Sequence, residues 1–197
     1  MKALIAAMGT VALLAGCASN RDETASAASA GTMDPMSPLM APGFTAMAAS
    51  SDQFEIQSSQ VALQRSQNPQ VRQFAQMMIT DHTRTTQELT SLAQSLGMAP
   101  PPPTLMPEQQ AALDRVNAAG PADFDATYKR EQIAGHQQAL SLMQNYASQG
   151  DRPPLRDFAS RTAPIIQQHL TMAQGLPDYA PPPPPPPPAP SRAGERG

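Results

Sequence analysis

The stretch Asn68-Pro69-Gln70-Val71-Arg72-Gln73-Phe74-Ala75-Gln76-Met77-Met78-Ile79-Thr80-Asp81-His82 opens with a capping residue and a first-turn proline. Its apolar residues then recur at helical spacing: Val71, Phe74, Ala75, Met78, His82, Leu89, Leu92, Ala93 and Leu96 share one face. Gly97 closes the segment. A long helix with one apolar face must bury that face against other elements, so the reading extends outward in both directions.

Upstream, a helix is predicted from about Phe44 to Ser66, with Phe44, Met47, Ala48, Phe54, Val61 and Ala62 as its apolar positions. Downstream, Pro100 to Pro103 form a stiff connector, Pro107 opens a short helix to about Ala119, and Gly120-Pro121 breaks the chain. A third long helix is predicted from about Ala122 to Ser148, offering Phe124, Tyr128, Ile133, His136, Leu140, Met143 and Tyr146 to a core and ending at Gly150. A fourth runs from Pro153 to about Leu176 with Leu155, Phe158, Ile165, Ile166, His169, Leu170 and Met172, and Pro164 inside it predicts a kink. No alternating strand pattern occurs between Gly43 and Leu176. The fold expected is all-α, a four-helix bundle with a short extra helix in the connection between the second and third long helices.

The two ends of the chain read differently. Met1-Lys2 followed by the apolar run Ala3 to Ala15 is too short for a membrane span, which needs about 20 residues, and reads as a signal peptide over residues 1–16. Leu14-Ala15-Gly16-Cys17 resembles a bacterial lipobox, which makes Cys17 the lipid-modified first residue of the mature protein. Ala18 rather than aspartate after it implies, by resemblance to lipoprotein sorting rules, an outer-membrane lipoprotein facing the periplasm. Cys17 is the only cysteine, so no disulfide forms within one chain and the domain depends on its core. Residues 17–42 are rich in Ala, Ser, Thr, Met and Pro and read as a flexible tether. The bundle is expected over 43–177. Residues 178–197 form a proline-rich tail whose run Pro181 to Pro188 should be an extended polyproline rod, a spacer or a ligand for another protein.

Composition excludes several functions. The net charge is -3 with no basic cluster, aromatics are 4% and tryptophan is absent, which argues against nucleic-acid binding. There is no glycine-rich phosphate loop, hence no nucleotide, and neither a His-Glu-x-x-His motif nor a nucleophile elbow. No reaction is indicated.

The three histidines are the exception to an otherwise plain helical domain. His82, His136 and His169 lie on the inward faces of three different helices, each with an isoleucine three residues before it: Ile79, Ile133 and Ile166. In an antiparallel bundle with a rise of about 1.5 Å per residue, the three fall within about one turn of the same height. Glu55 lies at that level of the first helix. Three imidazoles and a carboxylate suit zinc, copper, iron or manganese, with imidazole favouring the first three. The competing reading is a hydrogen-bonded core of structural histidines. Ferritin-like di-iron sites use Glu-x-x-His on two helices; here isoleucine stands at that position, which argues against ferroxidase or oxygenase chemistry. Met78 and Met172 lie one turn from His82 and His169, and Met33, Met36 and Met40 cluster in the tether. Thioethers suit Cu(I), although methionine also simply fills irregular cores. Tyr128 is placed to hydrogen-bond a core histidine. Asp81 points about 100° away from His82 around the helix, so it should face solvent or cap a neighbouring element. Glu88 and Glu131 read as surface charges.

Several of these elements together resemble the bacterial domain of unknown function family 4142. They are Phe44 followed by Glu55, the run from Phe74 to Thr83, Glu88-Leu89, Phe124-Asp125, Tyr128, His136, Ala163-Pro164 and His169-Leu170. The resemblance covers about Phe44 to Leu176 and is most specific at Met78-Ile79-Thr80-Asp81-His82-Thr83. It implies export and a ferritin-like helical bundle, and it implies no reaction. Two readings of function follow. One is a lipid-anchored envelope module with a binding or structural role, contacting an envelope partner through the bundle surface or the proline tail. The alternative is a metal-binding protein for storage, delivery or stress protection, using Glu55, His82, His136 and His169.

Overall fold

A computed structural model describes residues 34–178 of the chain. The signal segment, Cys17, the tether up to Met33 and the proline run lie outside the described residues. Five helices follow in order: α1 (Ala41–Arg65), α2 (Pro69–Ser95), α3 (Pro107–Ala118), α4 (Phe124–Gln149) and α5 (Pro153–Gln174), with no strand among the described residues. None of these helices is long and apolar enough to cross a membrane.

The helix ends follow the local chemistry. Asn68 Oδ1 accepts a hydrogen bond from the Gln70 amide at 2.9 Å, satisfying a donor that the first turn of α2 would leave unpaired. At the other end Gly97 adopts φ 70°, a left-handed conformation that glycine reaches without a Cβ penalty. Met98 N then donates to Ala93 O at 3.0 Å and Gly97 N to Gln94 O at 3.0 Å, the paired bonds of a Schellman motif. Asn68→Ala should cost about 1 kcal/mol and lower the melting temperature by about 2–4 °C. Thermal unfolding followed by circular dichroism checks this, and an unchanged midpoint would show that the cap contributes nothing.

The helix α1 begins at Ala41, earlier than the sequence suggests, and the expected tether is ordered from Asp34 onward. Gly43 N donates to Pro35 O at 3.1 Å, and Asp151 N donates to Leu39 O at 3.1 Å, which fastens this segment to the α4–α5 turn. The close approach requires glycine at 43, where an added Cβ would lie 2.3 Å from the Ser37 carbonyl oxygen. Helix α5 continues unbroken through Pro164, which lies on its exposed face together with Ser160, the residue whose carbonyl loses its partner.

α1 packs along α2 and α4 along α5, with α1 facing α4 and α2 facing α5, so the helices run α1-α2-α5-α4 around the bundle. α3 lies across α1 and α4. Arg65 fixes it by donating to the carbonyls of Val116 at 3.2 Å, Asn117 at 2.9 Å and Ala119, while its guanidinium covers the Phe124 ring at 4.5 Å. Arg115 of α3 forks onto Glu131 of α4 at 3.1 and 2.8 Å. This corrects the reading of Glu131 as a surface charge. It is buried because α3 covers it, and the covering helix supplies the counter-charge. Glu88 is exposed as expected and pairs with Arg161 at 2.9 Å.

The core has two apolar clusters. One gathers Phe44, Ala48, Leu89, Met143, Tyr146, Leu155 and Phe158, with Phe44 stacked on Tyr146 at 3.8 Å between centroids. The other gathers Ala62, Val71, Phe74, Met78, Val116, Phe124, Tyr128 and Ala173. In every long helix the residues of one cluster are separated from those of the other by a buried polar residue: Asp52 and Glu55 in α1, His82 in α2, His136 in α4 and His169 in α5. A polar layer therefore crosses the bundle between two apolar halves.

Candidate metal centre

The four long helices contribute to this layer. His82, His136 and His169 are 4%, 1% and 3% exposed, and their ring centroids lie 5.5, 5.6 and 5.8 Å apart. One ring nitrogen of each lies within 4.8 Å of those from the other two. The equal heights expected from counting residues along the helices are what the structure shows.

Each ring is anchored through one nitrogen. His82 Nδ1 bonds Asp52 Oδ1 at 2.7 Å, and Asp52 Oδ2 accepts from Thr86 Oγ1 at 2.9 Å. His136 Nδ1 bonds the Gln132 carbonyl at 2.8 Å. His169 Nε2 bonds Asp81 Oδ2 at 3.1 Å, and Asp81 Oδ1 accepts from Arg84 at 3.1 Å. Carboxylates and carbonyls only accept here, so each anchored nitrogen carries a proton, and in the neutral ring the other nitrogen carries the lone pair. Those other nitrogens, His82 Nε2, His136 Nε2 and His169 Nδ1, are buried with no hydrogen-bond partner. A buried polar atom left unsatisfied costs about 1–3 kcal/mol. Three of them in one layer call for a common explanation.

The electrostatics differ from ring to ring. Burial opposes charge on His82, but the Asp52 hydrogen bond and charge, with Glu55 and Asp81 behind them, override it and raise its pKa above 6.5. His136 is pushed down to about 3, first by burial and then by the neighbouring His82 charge, so it is neutral across the physiological range. His169 is lowered by burial and by His82, against the pull of Asp81.

Glu55 sits at this level as expected, with Oε1 3.4 Å from His136 Nδ1, beside the anchored edge of that ring. It does not belong to the set of converging donor atoms. Both its oxygens are buried without a hydrogen-bond partner, and burial raises its pKa to about 7. Tyr128 bonds Ser59 Oγ at 2.8 Å rather than a histidine, because it faces α1 one apolar layer away from the imidazoles. Met78 is fully buried in the apolar cluster beside the site. Met172 is 40% exposed, at the outer edge of α5, so its thioether does not face the rings.

Sequence reasoning missed three supporting residues. Asp52 lies one turn before Glu55 on the same buried face of α1, and two acids paired among the small residues of that face were the available signal. Asp81 does point away from His82, as expected, but α5 occupies that direction and His169 receives it. Gln132 lies one turn before His136, the position from which a helix carbonyl can reach the following ring, and its side chain donates to Ser58 Oγ at 3.0 Å.

The profile of the family described as Domain of unknown function (DUF4142) matches residues 23–176, and the chain belongs to that family. No curated protein matches it. Solved structures share its fold. CopM in the Cu(II)-bound form is 21% identical with a TM-score of 0.59, covering 68% of this chain and 93% of CopM. CopM in the apo form is 21% identical with a TM-score of 0.57 over 68% and 93%. A DUF305 fragment from Deinococcus radiodurans is 15% identical with a TM-score of 0.61, covering 72% of this chain and 95% of the fragment. At these identities the likeness is one of fold.

Proposed function

We propose that this DUF4142 member holds a single transition-metal ion between His82, His136 and His169, at the bacterial cell envelope. The observation that carries the reading is the set of three buried ring nitrogens that have no partner while the opposite nitrogen of each ring is anchored. A cation would satisfy all three at once. Anchoring by Asp52, Asp81 and the Gln132 carbonyl is the outer-shell arrangement that fixes tautomer and ring orientation in metal sites. With bonds of about 2.0–2.1 Å, a tetrahedral ion holds its nitrogens roughly 3.4 Å apart, so the rings have only a short distance to close.

Copper is the metal favoured. Imidazoles suit copper, zinc and iron, and the fold relative CopM has been solved in Cu(II)-bound and Cu(I)-bound forms. The role proposed is binding, and the cleft beside His82 and His169 has a volume of about 10 Å³, near the 10–15 Å³ that one water needs. No organic substrate fits there. The envelope address rests on the apolar leader and on Leu14-Ala15-Gly16-Cys17; a mature N terminus found by mass spectrometry to be a lipidated Cys17 would support it, and an intact Met1 would refute it.

The test is elemental analysis of the full mature chain, purified without a histidine tag, beside a His82→Ala, His136→Ala double variant. About one equivalent of copper or zinc in the parent and none in the variant is expected. A parent that is metal-free and binds no added Cu(II) or Zn(II) would sink the reading. Asp52→Asn should leave the triad in place yet weaken metal binding by about 10–100-fold, the usual effect of losing an outer-shell carboxylate; competition against a chelator of known affinity measures it. The partner-binding reading has one surface in its favour. An open groove of about 540 Å³ runs between α1, α3 and α4, lined by Met47, Met106, Pro107, Gln138 and Leu142. A metal-free outcome would direct attention there.

A further inference from the structure

A buried triad needs a way in, and the four seams of the bundle are not equivalent. The α1–α2 and α4–α5 seams are hairpins packed along their lengths, and α3 covers the α1–α4 seam, stapled by Arg115–Glu131 and by Arg65. The α2–α5 seam is by far the least packed of the four. Hollows follow it from end to end. One of about 430 Å³ lies beside Leu92, Pro154 and Arg161, the small cleft lies at the histidines, and one of about 340 Å³ lies beside Phe74, Met77 and Met172. The Glu88–Arg161 pair bridges the seam, but both residues are exposed, and such pairs hold little.

We propose that the α2–α5 seam is the entrance to the histidine cluster, with Asp81 and Ile165 as its gate; as a route for metal, this rests on the function proposed above. The small cleft is lined by the half-buried Asp81, Thr85 and Ile165 and by the buried Thr162, His82 and His169. Asp81 is the one acid of the polar layer whose side chain reaches solvent appreciably, at 23% exposure. One of its oxygens holds His169 Nε2 inside, and the other holds the exposed Arg84 outside. An incoming cation therefore meets a carboxylate already bonded to a ligand ring, with a guanidinium competing for the same group. Ile165 is the apolar plug beside it.

Two variants that touch no histidine nitrogen test the gate in the full chain. Arg84→Gln removes the positive charge at the mouth, and Ile165→Ala removes the plug. Stopped-flow uptake of Cu(II) by the metal-free protein should be about 10-fold faster in Arg84→Gln, the low end of electrostatic steering, and the gain should shrink with salt. Ile165→Ala should speed uptake and release together, so Kd moves less than either rate. The second readout needs no metal: carbethoxylation by diethyl pyrocarbonate, followed by peptide mass spectrometry, should accelerate at His169 and His82 in Ile165→Ala. Gln138→Ala, on the α1–α4 face, should change neither measurement. Unchanged uptake and labelling in Ile165→Ala, or equal acceleration in Gln138→Ala, would overturn the route. Faster labelling in Ile165→Ala without copper binding by any form would support the route while overturning the metal reading.

Discussion

Alanine at His136 is expected to weaken Cu(II) or Zn(II) binding by more than 100-fold while leaving the bundle folded. The bound is set by the outer shell. Loss of a residue that merely orients a ligand costs about 10–100-fold, and His136 supplies the ligand nitrogen itself. Of the three rings it is also the one best prepared to bind. Its pKa is pushed down to about 3 by burial and by the neighbouring His82 charge, so no proton competes for Nε2 at neutral pH. Its Nδ1 is already committed to the Gln132 carbonyl. The fold should survive because Phe74 and the apolar residues on either side of the layer remain. Isothermal titration with copper, beside a far-ultraviolet spectrum of the same sample, decides the matter. Undiminished affinity in a folded His136→Ala protein would remove His136 from the site.

The same geometry fixes the sign of the pH dependence. His82 is the ring whose charge is favoured in the empty site, since Asp52 raises its pKa above 6.5. A metal must displace that proton. Affinity should therefore rise with pH through and beyond 6.5 and fall below it. Bound metal should in turn raise stability by mass action, by about 4 kcal/mol when free metal is 1,000-fold above Kd, and this increment should vanish with His136→Ala.

Helix existence and the level of the histidines were legible because both depend on local spacing. Pro69, Gly97 and Gly150 punctuate the chain, and a constant rise per residue turns sequence position into height. Residues whose environment depends on which helix stands opposite were not legible. Glu131 looks like a surface charge until α3 is laid over it. Asp81 could face solvent or a neighbouring element, and only α5 placed beside α2 shows that its partner is His169. Tyr128 looks placed for a histidine but bonds Ser59, because its height along α4 differs from that of His136 by about two turns. Met172, three residues after His169, is 40% exposed and lies beside Phe74 and Met77 at the α2–α5 seam instead of among the rings. In each case the residue's own helix was right and the neighbour across the seam decided the outcome.

Glu55 offers the other large effect, and it needs no metal. The carboxyl is fully buried, and desolvation raises its pKa from 4.5 to about 7 against the opposing pull of the His82 charge and the Gln132 side chain. Its folded-state pKa therefore lies above its unfolded value. The protonated form is the one the fold tolerates, so the contribution is fully present below pH 4.5 and is lost as pH rises through about 7. The gap between those values corresponds to a loss of about 3 kcal/mol at alkaline pH. Glu55→Gln keeps the shape and removes the titration. In the presence of a chelator, the variant should match the parent near pH 4.5 and exceed it by up to about 3 kcal/mol at pH 8. Urea unfolding at a series of pH values yields the difference between the two curves, in which the titration of His82 largely cancels. A difference that stays flat with pH would mean that Glu55 is already ionised in the folded protein at acid pH, and that its charge is held by His82.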